Sequence, residues 1–597
     1  MPEPEPPTPP APLKPGPTPT APPPGSGPAA SAAAPAIELP AAGPDEVALL
    51  IDERPVVVKK GTTVLQAAER LSIAVPHYCY HPGLTIAGNC RMCFVEIEKM
   101  PKLQIGCATQ ATQGMVVRTA NPRVKAARES IMEFLLINHP LDCPICDQAG
   151  ECRLQQYANA YGRGQSRFIE EKIHNDKGVP IGPRVVFDGE RCIKCTRCIR
   201  FCDEVSKTHE LGLFERGGHA IIGTFPGKSL DNDYSGNTVD ICPVGALTWK
   251  PFRFRARVWF LRNVPSVCTG CARGCNVELA VYDHRIHRIT PRRNEAVNGY
   301  WMCDLGRQTY EQLYDRPRLE RPAVRAAGAA APGPAGAGAA AVVPAPEAVD
   351  RAAALLRETA TRHGAASVAA IVSARLTLED LFMARKALQQ AGITRVVVPP
   401  HEAGEDDALL LRRDKTPNAR GCELVGLGRP DAAATARLAG DIAAGHVRGL
   451  LVVGEDPVGD GVLKADLLAT LDALVVIDAW QTGTAKAAHV ALPATGPYEA
   501  DGVVVNFQGR AQRLRRGVPA PALAEPSWRW LRELGRRFGL AGTWSTASAV
   551  FDQAAAELKP LASLSWRGLS GDGHPLVSTE AGPVSETTTP GTQALEP

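Results

Sequence analysis

The chain has 597 residues, which is enough for several domains, and its formal net charge is only +3. A charge this close to balance gives no indication of a nucleic-acid partner, and no run of about 18 apolar residues is present that could span a membrane. The composition is informative in one respect, because sixteen of the 17 cysteines lie between Cys79 and Cys303.

These cysteines fall into four groups in which spacings of two and three residues recur. In chain order the groups are Cys79, Cys90, Cys93 and Cys107; Cys143, Cys146 and Cys152; Cys192, Cys195, Cys198, Cys202 and Cys242; and Cys268, Cys271, Cys275 and Cys303. Because such spacings let one turn of backbone direct several thiolates at one soft metal centre, four groups predict four metal centres. A row of redox centres is typical of an electron-transfer protein.

Two other uses of cysteine compete with iron–sulfur clusters. Disulfides need an oxidising compartment, and the Pro- and Ala-rich residues 1–45 contain no apolar segment of the kind found in a secretory signal. Structural zinc sites usually pair two C-x2-C units, whereas Cys192, Cys195 and Cys198 form the C-x2-C-x2-C of iron–sulfur proteins. Clusters are therefore the favoured interpretation, and zinc stays an alternative mainly for the fourth group.

Residues 1–44 form a Pro-, Ala- and Gly-rich tail that cannot bury a core, so we expect it to be disordered. A small domain is predicted at 45–122. Its expected elements are strands at 47–51 and 54–58, a helix at 63–71, a cysteine-bearing loop at 76–90, and strands at 94–97 and 115–118. This order is that of a β-grasp ferredoxin, and the four thiolates of the first group suit one [2Fe–2S] cluster.

The second group has only three cysteines, so a four-ligand cluster there lacks one donor. A helix is predicted at 123–138, and His139 stands at its end, just before Cys143. An imidazole at a helix C-terminus often only caps the helix, but the missing thiolate makes His139 the nearest candidate for the fourth ligand. Replacing a thiolate by an imidazole removes one negative charge and should change the reduction potential. We assign residues 123–184 to this domain.

The third group has one cysteine more than a single cluster needs. The run from Cys192 to Cys202 has the spacing of bacterial ferredoxins, in which the last cysteine of the run ligates a second cluster. No second triplet is present for Cys202 to join, and Cys242 is followed by proline. Cys242 is therefore the better fourth ligand in a domain at 185–257, and Cys202 is either its buried neighbour or the alternative ligand.

The fourth group supplies four cysteines to a domain predicted at 258–320, with a hairpin expected between residues 277 and 289. Just before it, arginines alternate with apolar residues, which predicts an amphipathic strand at 252–261.

A linker rich in Pro, Ala and Gly is expected at 321–348, and residues 349–541 alternate apolar strands with helices, which predicts a parallel sheet. The expected elements are strands at 368–372, 395–398, 449–453 and 474–477 and a helix at 376–390. No G-x-G-x-x-G follows a strand, so a dinucleotide site is poorly supported. The isolated Cys422 is interpreted as an ordinary core or surface thiol. Residues 542–597 form a C-terminal segment whose end we expect to be disordered.

Five local sequences stand out: PHYCYHP at 76–82, GNCRMC at 88–93, HPLDC at 139–143, CPVGAL at 242–247 and WMCD at 301–304. Together they resemble the large iron–sulfur subunit of respiratory complex I, the 75-kDa-type subunit family of NADH:quinone oxidoreductase. A weaker resemblance, to the molybdopterin-oxidoreductase-like domain of that family, runs from HVALP at 489–493 through Glu499 to Gly509 and Arg510. The implied fold is α+β and α/β multidomain. It has an N-terminal β-grasp [2Fe–2S] ferredoxin domain, [4Fe–4S] ferredoxin-like domains and a C-terminal α/β molybdopterin-oxidoreductase-like domain.

The resemblance also implies the ligands of one [2Fe–2S] cluster and of two to three [4Fe–4S] clusters. The [2Fe–2S] ligands would be Cys79, Cys90, Cys93 and Cys107, and the [4Fe–4S] ligands would be His139, Cys143, Cys146 and Cys152, then Cys192, Cys195, Cys198 and Cys242, then Cys268, Cys271, Cys275 and Cys303. The last set occurs only in some members of the family and lies off their main electron path. Relatives that bind molybdopterin carry a Lys near the fourth cysteine, where this chain has Asp304 and Leu305, so no molybdopterin is expected.

The function implied by the resemblance is that of an electron-relay subunit without a catalytic acid, base or nucleophile of its own. Electrons would pass from a partner that binds NADH and flavin toward the quinone-side hydrophilic subunits of complex I. The subunit would lie in the bacterial cytoplasm at the inner membrane, which it would touch only through these partners. The alternative is the iron–sulfur catalytic subunit of an NAD-linked formate dehydrogenase or of a hydrogenase. A hydrogenase needs further cysteines in the C-terminal half, where only Cys422 is present.

Overall fold

The computed structural model describes residues 38–325 and 340–576. Most of the tail expected to be disordered, up to residue 37, lies outside the described residues. So do residues 326–339 of the expected linker and the C-terminal end from residue 577. Within the described ranges, no helix is long and apolar enough to cross a membrane.

The N-terminal region is a five-stranded sheet with one helix, in which four strands and the helix follow the predicted order and β4 was not predicted. Its elements are β1 Glu46–Ile51, β2 Arg54–Lys59, α1 Val64–Arg70, β3 Phe94–Ile97, β4 Gln104–Ile105 and β5 Val116–Arg118. The sheet order is β2-β1-β5-β3-β4, and β5 runs parallel to β1. The helix begins at a capping box formed by Thr63 and Gln66. This β-grasp core leaves a long loop between α1 and β3 that carries three of the first four cysteines.

The next region consists of short helices and small sheets that hold two cysteine-bearing loops. Its elements are α2 Pro122–Leu136, α3 Arg153–Tyr161, β6 Val179–Pro180, β7 Val185–Phe187, α4 Arg197–Arg200, β8 Leu211–Phe214, β9 Ile221–Thr224, α5 Gly236–Asp240 and β10 Leu247–Trp249. The helix predicted at 123–138 is α2, and the side chain of Asn121 caps it by accepting a hydrogen bond from the Val124 amide at 2.9 Å.

The region of the fourth cysteine group is built on a three-stranded antiparallel sheet. Its elements are β11 Arg262–Val267, β12 Asn276–Tyr282, β13 Arg285–Pro291, α6 Asp304–Arg307 and α7 Gln312–Asp315. The hairpin expected between residues 277 and 289 is β12–β13.

The strand predicted at 252–261 is wrong. The segment forms turns and a short 3-10 helix, and the next strand begins only at Arg262. Polar groups of this segment form hydrogen bonds with the loop of the second cysteine group and not with a neighbouring strand. Arg257 Nη1, for example, donates to the Cys146 carbonyl at 2.7 Å. Alternating residue types cannot distinguish such a loop from a strand, because periodicity does not say where the backbone donors find acceptors.

The C-terminal region is an α/β domain around one sheet of seven strands. Its elements are β14 Ala323–Val324, β15 Ala341–Val342, α8 Ala345–His363, β16 Val368–Val372, α9 Leu378–Gln390, β17 Arg395–Val397, α10 Ala419–Leu424, α11 Ala432–Ala443, β18 Gly449–Val453, α12 Ala465–Leu468, β19 Ala473–Asp478, α13 Gly483–Ala487, β20 Val490–Pro493, β21 Gly502–Val505, β22 Arg510–Leu514, α14 Ser527–Arg537, α15 Ala547–Glu557 and β23 His574–Pro575. Each strand and helix predicted here is present, with ends within two residues of the expected ones. β14, β15 and the start of α8 fall inside the segment expected to be a linker.

The order of the large sheet is β15-β14-β20-β19-β18-β16-β17, and the five strands from β20 to β17 are parallel. Both β16 and β18 are buried along their whole length, as expected for a parallel sheet covered on both faces. After β16 the chain forms β17 on one side and then crosses to form β18 on the other. The strand order therefore reverses between β16 and β18, and a crevice is expected at the carboxyl ends of these two strands.

Candidate metal centres

The first cysteine group converges between the α1–β3 loop and the turn after β4. Cys79, Cys93 and Cys107 are buried, and Cys90 is half-buried. Hydrogen bonds from Cys107 and Cys90 lower the pKa of the Cys79 thiol, and the same bonds together with burial raise the pKa of both partners. Four thiols that compete in this way can all ionise only beside a cationic centre, so the group fits a metal cluster.

Backbone amides point at the sulfur atoms of this group. The Sγ of Cys90 accepts hydrogen bonds from the amides of Cys79 (3.4 Å) and Tyr78 (3.5 Å). Gly88 has a φ of +61°, and a Cβ there would lie 3.0 Å from Ile105 Cδ1, so the loop is tightly folded at this point. Hydrogen bonds to sulfur are one of the means by which a protein sets the potential of a cluster.

His139 follows α2, and the structure separates the two roles considered for it. Lys172 Nζ donates to the last carbonyls of the helix, those of Leu136 (3.0 Å) and Ile137 (2.6 Å), so the lysine provides the C-terminal cap. The His139 imidazole makes no hydrogen bond or ion pair within the described residues. Burial, together with Arg191 and Lys172, lowers its pKa to about 4, so the ring is neutral at pH 7, which is the form that binds a metal.

The three cysteines of the second group lie in the loop between α2 and α3. Cys146 and Cys152 are buried, and Cys143 is exposed. Burial raises the pKa of Cys152, and the amides of Gln155 and Leu154, at the start of α3, oppose this by donating to its sulfur. The exposure of Cys143 puts one edge of this centre at the surface of the chain.

Four cysteines of the third group line one enclosed cavity, the remainder of which is mostly apolar. They are Cys192, Cys195, Cys198 and Cys242. Burial raises the pKa of all four thiols, to about 12 for Cys192 and Cys242, so thiolates here also require a cation. Cys202 does not line the cavity. It is fully buried, and burial together with the adjacent Glu210 carboxylate raises its pKa.

The fourth group lines a second enclosed cavity. Its members are Cys268, Cys271, Cys275 and Cys303. The amides of Gly270 and Gly306 donate to the sulfurs of Cys268 (3.4 Å) and Cys303 (3.3 Å). Asp304 faces away from the cavity and accepts hydrogen bonds from the Ser235 hydroxyl at 2.6 Å and from a backbone amide beside it.

The first and third groups are neighbours. Arg200 Nη2 donates to the carbonyl of Cys79 at 2.6 Å and to that of Cys195 at 3.4 Å, so one guanidinium joins the two cysteine loops. Arg197 joins them again through the carbonyls of Tyr80 and Ile241.

The third and second groups are also neighbours. Gly245, three residues after Cys242, lies so close to Cys146 that a Cβ on this glycine would clash with the cysteine sulfur. The Arg153 amide donates to the Pro243 carbonyl at 3.0 Å. The third group therefore contacts both the first and the second, although along the chain it follows both of them.

Sequence reasoning missed the cations that support these centres. Arg197 and Arg200 lie inside the third cysteine run, and their position beside Cys198 was the available signal. No sequence pattern pointed to Lys172, because its role depends on the end of a helix 35 residues earlier in the chain.

Family models match the described chain in five separate parts. The matching descriptions are a 2Fe-2S iron-sulfur cluster binding domain at 44–122, the NADH-ubiquinone oxidoreductase-G iron-sulfur binding region at 128–167, the ferredoxin-like domain of NADH-quinone oxidoreductase subunit 3 at 182–248, the molybdopterin oxidoreductase Fe4S4 domain at 261–315 and molybdopterin oxidoreductase at 427–537. The predicted fold class is thereby confirmed: the chain is an α+β and α/β multidomain protein, with 2Fe-2S and 4Fe-4S binding domains and a molybdopterin-oxidoreductase-like domain.

Curated relatives match the N-terminal half. An NADH-quinone oxidoreductase subunit of Rickettsia bellii is 46% identical over 282 residues, which is 47% of this chain and 41% of the relative. The NADH-ubiquinone oxidoreductase 75 kDa subunit of Reclinomonas americana is 47% identical over 283 residues, 47% of this chain and 40% of that protein. The cluster-binding half of this chain is homologous to the large iron–sulfur subunit of complex I. The match spans less than half the length of these relatives.

Among solved structures, acetylene hydratase from Pelobacter acetylenicus has a TM-score of 0.37 at 10% identity, over 53% of this chain and 74% of that chain. A likeness this weak supports no inference beyond the homology to the complex I subunit.

Proposed function

We propose that this chain is an iron–sulfur electron-transfer subunit of an NADH:quinone oxidoreductase. Bound clusters would supply reversible one-electron transfer. The chain's own residues hold the clusters in buried loops, exclude water from them and donate backbone N–H groups to their sulfur ligands. No side chain is assigned a catalytic acid or base role.

We assign the sixteen predicted ligands to four centres, in the domains predicted from the sequence. The sets are Cys79, Cys90, Cys93 and Cys107 for a [2Fe–2S] cluster, and His139, Cys143, Cys146 and Cys152, then Cys192, Cys195, Cys198 and Cys242, then Cys268, Cys271, Cys275 and Cys303 for [4Fe–4S] clusters. The contiguity of the first three groups, joined by Arg200 and Gly245, is the observation that carries the proposal. Contiguous centres make a path, whereas isolated centres do not.

The homology to complex I subunits supports the following proposal for the partners and the location. Electrons enter from a subunit that binds NADH and flavin and leave toward quinone-side hydrophilic subunits. Electrons would leave the chain from the second group, because Cys143 is exposed and electron transfer between subunits needs a centre close to the surface. The chain then lies on the cytoplasmic side of a bacterial inner membrane, held there by its partners.

Metal counting and low-temperature EPR on the anaerobically purified chain test this proposal. We expect one [2Fe–2S] signal and three [4Fe–4S] signals during a dithionite titration, with about 14 irons per chain and no molybdenum. Stoichiometric zinc with silent EPR contradicts the proposal. Molybdenum at about one per chain would instead favour the formate dehydrogenase alternative.

A matched pair of variants tests the ligand choice in the third group. Cys242→Ser should remove one [4Fe–4S] signal and about four irons, because Cys242 lines the cavity. Cys202→Ser should leave the iron count and the spectrum unchanged, because Cys202 lies outside the cavity beside Glu210. The reverse result would make Cys202 the fourth ligand.

A further inference from the structure

The α/β domain contains a set of metal-ligating side chains outside the four cysteine groups. His401, Glu455 and Asp460 each offer one ligand atom, and these atoms lie within 4.8 Å of one another. His401 follows β17, and the other two residues lie in the loop after β18. They meet beside the point where the strand order reverses, which is where parallel α/β sheets bind their ligands.

A cavity of about 620 Å³ opens at this point. Its lining includes Glu455 and Asp460 together with Arg375 and Lys415. The cavity continues to Thr269 and Gly270, next to the fourth cysteine group, so it lies between that group and the sheet. An ion held by the three side chains would therefore face a space large enough for a further ligand.

Glu455 has an unused oxygen. The residue is 3% exposed, and its Oε2 lies 2.8 Å from His401 Nε2. Its Oε1 is buried and has no hydrogen-bond partner within the described residues. A buried carboxylate oxygen without a hydrogen-bond partner raises the free energy of the folded chain, and a bound cation would remove that penalty.

Other carboxylates around the same cavity have their partners. Asp380 accepts hydrogen bonds from the Trp528 amide at 2.8 Å and from the Thr377 hydroxyl at 2.7 Å. Asp456 Oδ1 accepts hydrogen bonds from the amide (3.2 Å) and hydroxyl (2.5 Å) of Thr484. In the described part of the chain, neither Glu455 nor Asp460 has an ion pair with an arginine or lysine.

We propose that His401, Glu455 and Asp460 bind one divalent first-row transition-metal ion, such as Mn²⁺ or Zn²⁺. One imidazole and two carboxylates suit these ions better than Mg²⁺ or Ca²⁺, which take oxygen ligands. Two ligands at right angles, each about 2.1 Å from one ion, lie about 3.0 Å apart. The 2.8 Å between His401 Nε2 and Glu455 Oε2 is close to that spacing. Three protein ligands leave coordination positions open toward the cavity.

A Mn²⁺ titration of the full-length, chelator-washed protein tests the proposal. The clusters are kept intact and oxidised, and free Mn²⁺ is followed by its room-temperature EPR signal. Mn²⁺ is the probe because thiolates prefer softer metals, so damaged cluster sites contribute little. We expect saturable binding of one Mn²⁺ per chain, displaced by Zn²⁺.

Isosteric variants separate a metal site from a simple His–Glu pair. Glu455→Gln and Asp460→Asn should each weaken Mn²⁺ binding by at least about tenfold. Glu405→Gln, at an exposed position of the loop that carries His401, is the matched control and should bind as the unmodified chain does. The cluster EPR signals should be the same in all four proteins, which makes this result independent of the proposed electron-transfer function.

A thermal readout guards against misfolding of the buried Glu455→Gln variant. Mn²⁺ should raise the melting temperature of the unmodified chain and of Glu405→Gln but not of Asp460→Asn, whose changed residue is exposed. Absence of binding, or equal affinity in Asp460→Asn and in the control, would overturn the proposal.

Discussion

At the scale of single residues, the proposed ligand His139 is the one departure from an all-thiolate set of cluster ligands. Its ring is neutral at pH 7 and free of hydrogen bonds in the described structure, while Lys172 caps α2 in its place. As the ligand we propose, it would leave the cluster with one negative charge fewer than four thiolates would give it. The reduced form, which is the more negative one, would thereby be favoured.

His139→Cys should lower the reduction potential of the second centre. The added thiolate charge favours the oxidised form, and we expect a shift on the order of 100 mV to more negative values. A potentiometric EPR titration measures it, with the signals of the other centres as internal controls. An unchanged potential would mean that His139 is not a ligand, and loss of this signal alone would mean that thiolate cannot replace imidazole there.

At the scale of elements, a buried acid in α9 connects this helix to the neighbouring strand β21. Glu379, in its first turn, is fully buried, and its Oε2 accepts a hydrogen bond from the Val503 amide of β21 at 2.9 Å. Burial raises the pKa of this carboxyl to about 8. Because its pKa is higher in the folded state, the protonated carboxyl stabilises the fold fully only below its unfolded pKa of about 4.5. That contribution to the free energy of unfolding is lost as the pH rises from 4.5 to the folded pKa.

Glu379→Gln should therefore stabilise the α/β domain at high pH only. The amide keeps an acceptor for Val503 and cannot ionise, so we expect a melting temperature roughly 5 °C above that of the unmodified chain at pH 9 and almost no difference near pH 4. Differential scanning calorimetry across this range measures it, with the exposed Glu405→Gln as the control. A difference of the same size at both pH values would show that ionisation of Glu379 is not the cause.

The elements also show what the sequence could and could not predict. Strands such as β16 and β18 were predicted because they are continuous apolar runs bounded by loop residues. The segment at 252–261 was mispredicted, because its alternation arises from a loop that wraps the second cysteine group. The edge strand β15 and its neighbour β14 were missed, since two-residue strands carry no pattern of their own.

At the scale of the whole molecule, the sequence identified the four groups but not which of them are neighbours in space. Local spacing reveals a group, because its thiolates share one turn of backbone. Neighbouring groups meet through contacts between residues far apart in the chain, such as Arg200 with Cys79 and Gly245 with Cys146. The same limit applies to His401, Glu455 and Asp460, which only the folded sheet brings together.

The contact between Gly245 and Cys146 offers a single position at which a substitution could disrupt the contact between the second and third centres. A Cβ at Gly245 would clash with the sulfur of Cys146 and lie 3.1 Å from the Cβ of Gln148. Gly245 does not have a positive φ, so an alanine there tests this close approach and not backbone strain. We expect Gly245→Ala to remove the EPR signal of the second centre and about four irons, while the third centre, which keeps Cys242, is retained.

Gly164→Ala, in the chain just after α3, is the matched control, because nothing lies within 4 Å of the added Cβ. It should keep every signal and the full iron count. If Gly245→Ala instead removes the signal of the third centre, the glycine acts through the loop of Cys242. If it changes neither signal, the two centres are not in contact at this residue, and the contact between the second and third groups would rest only on the bond from the Arg153 amide to the Pro243 carbonyl.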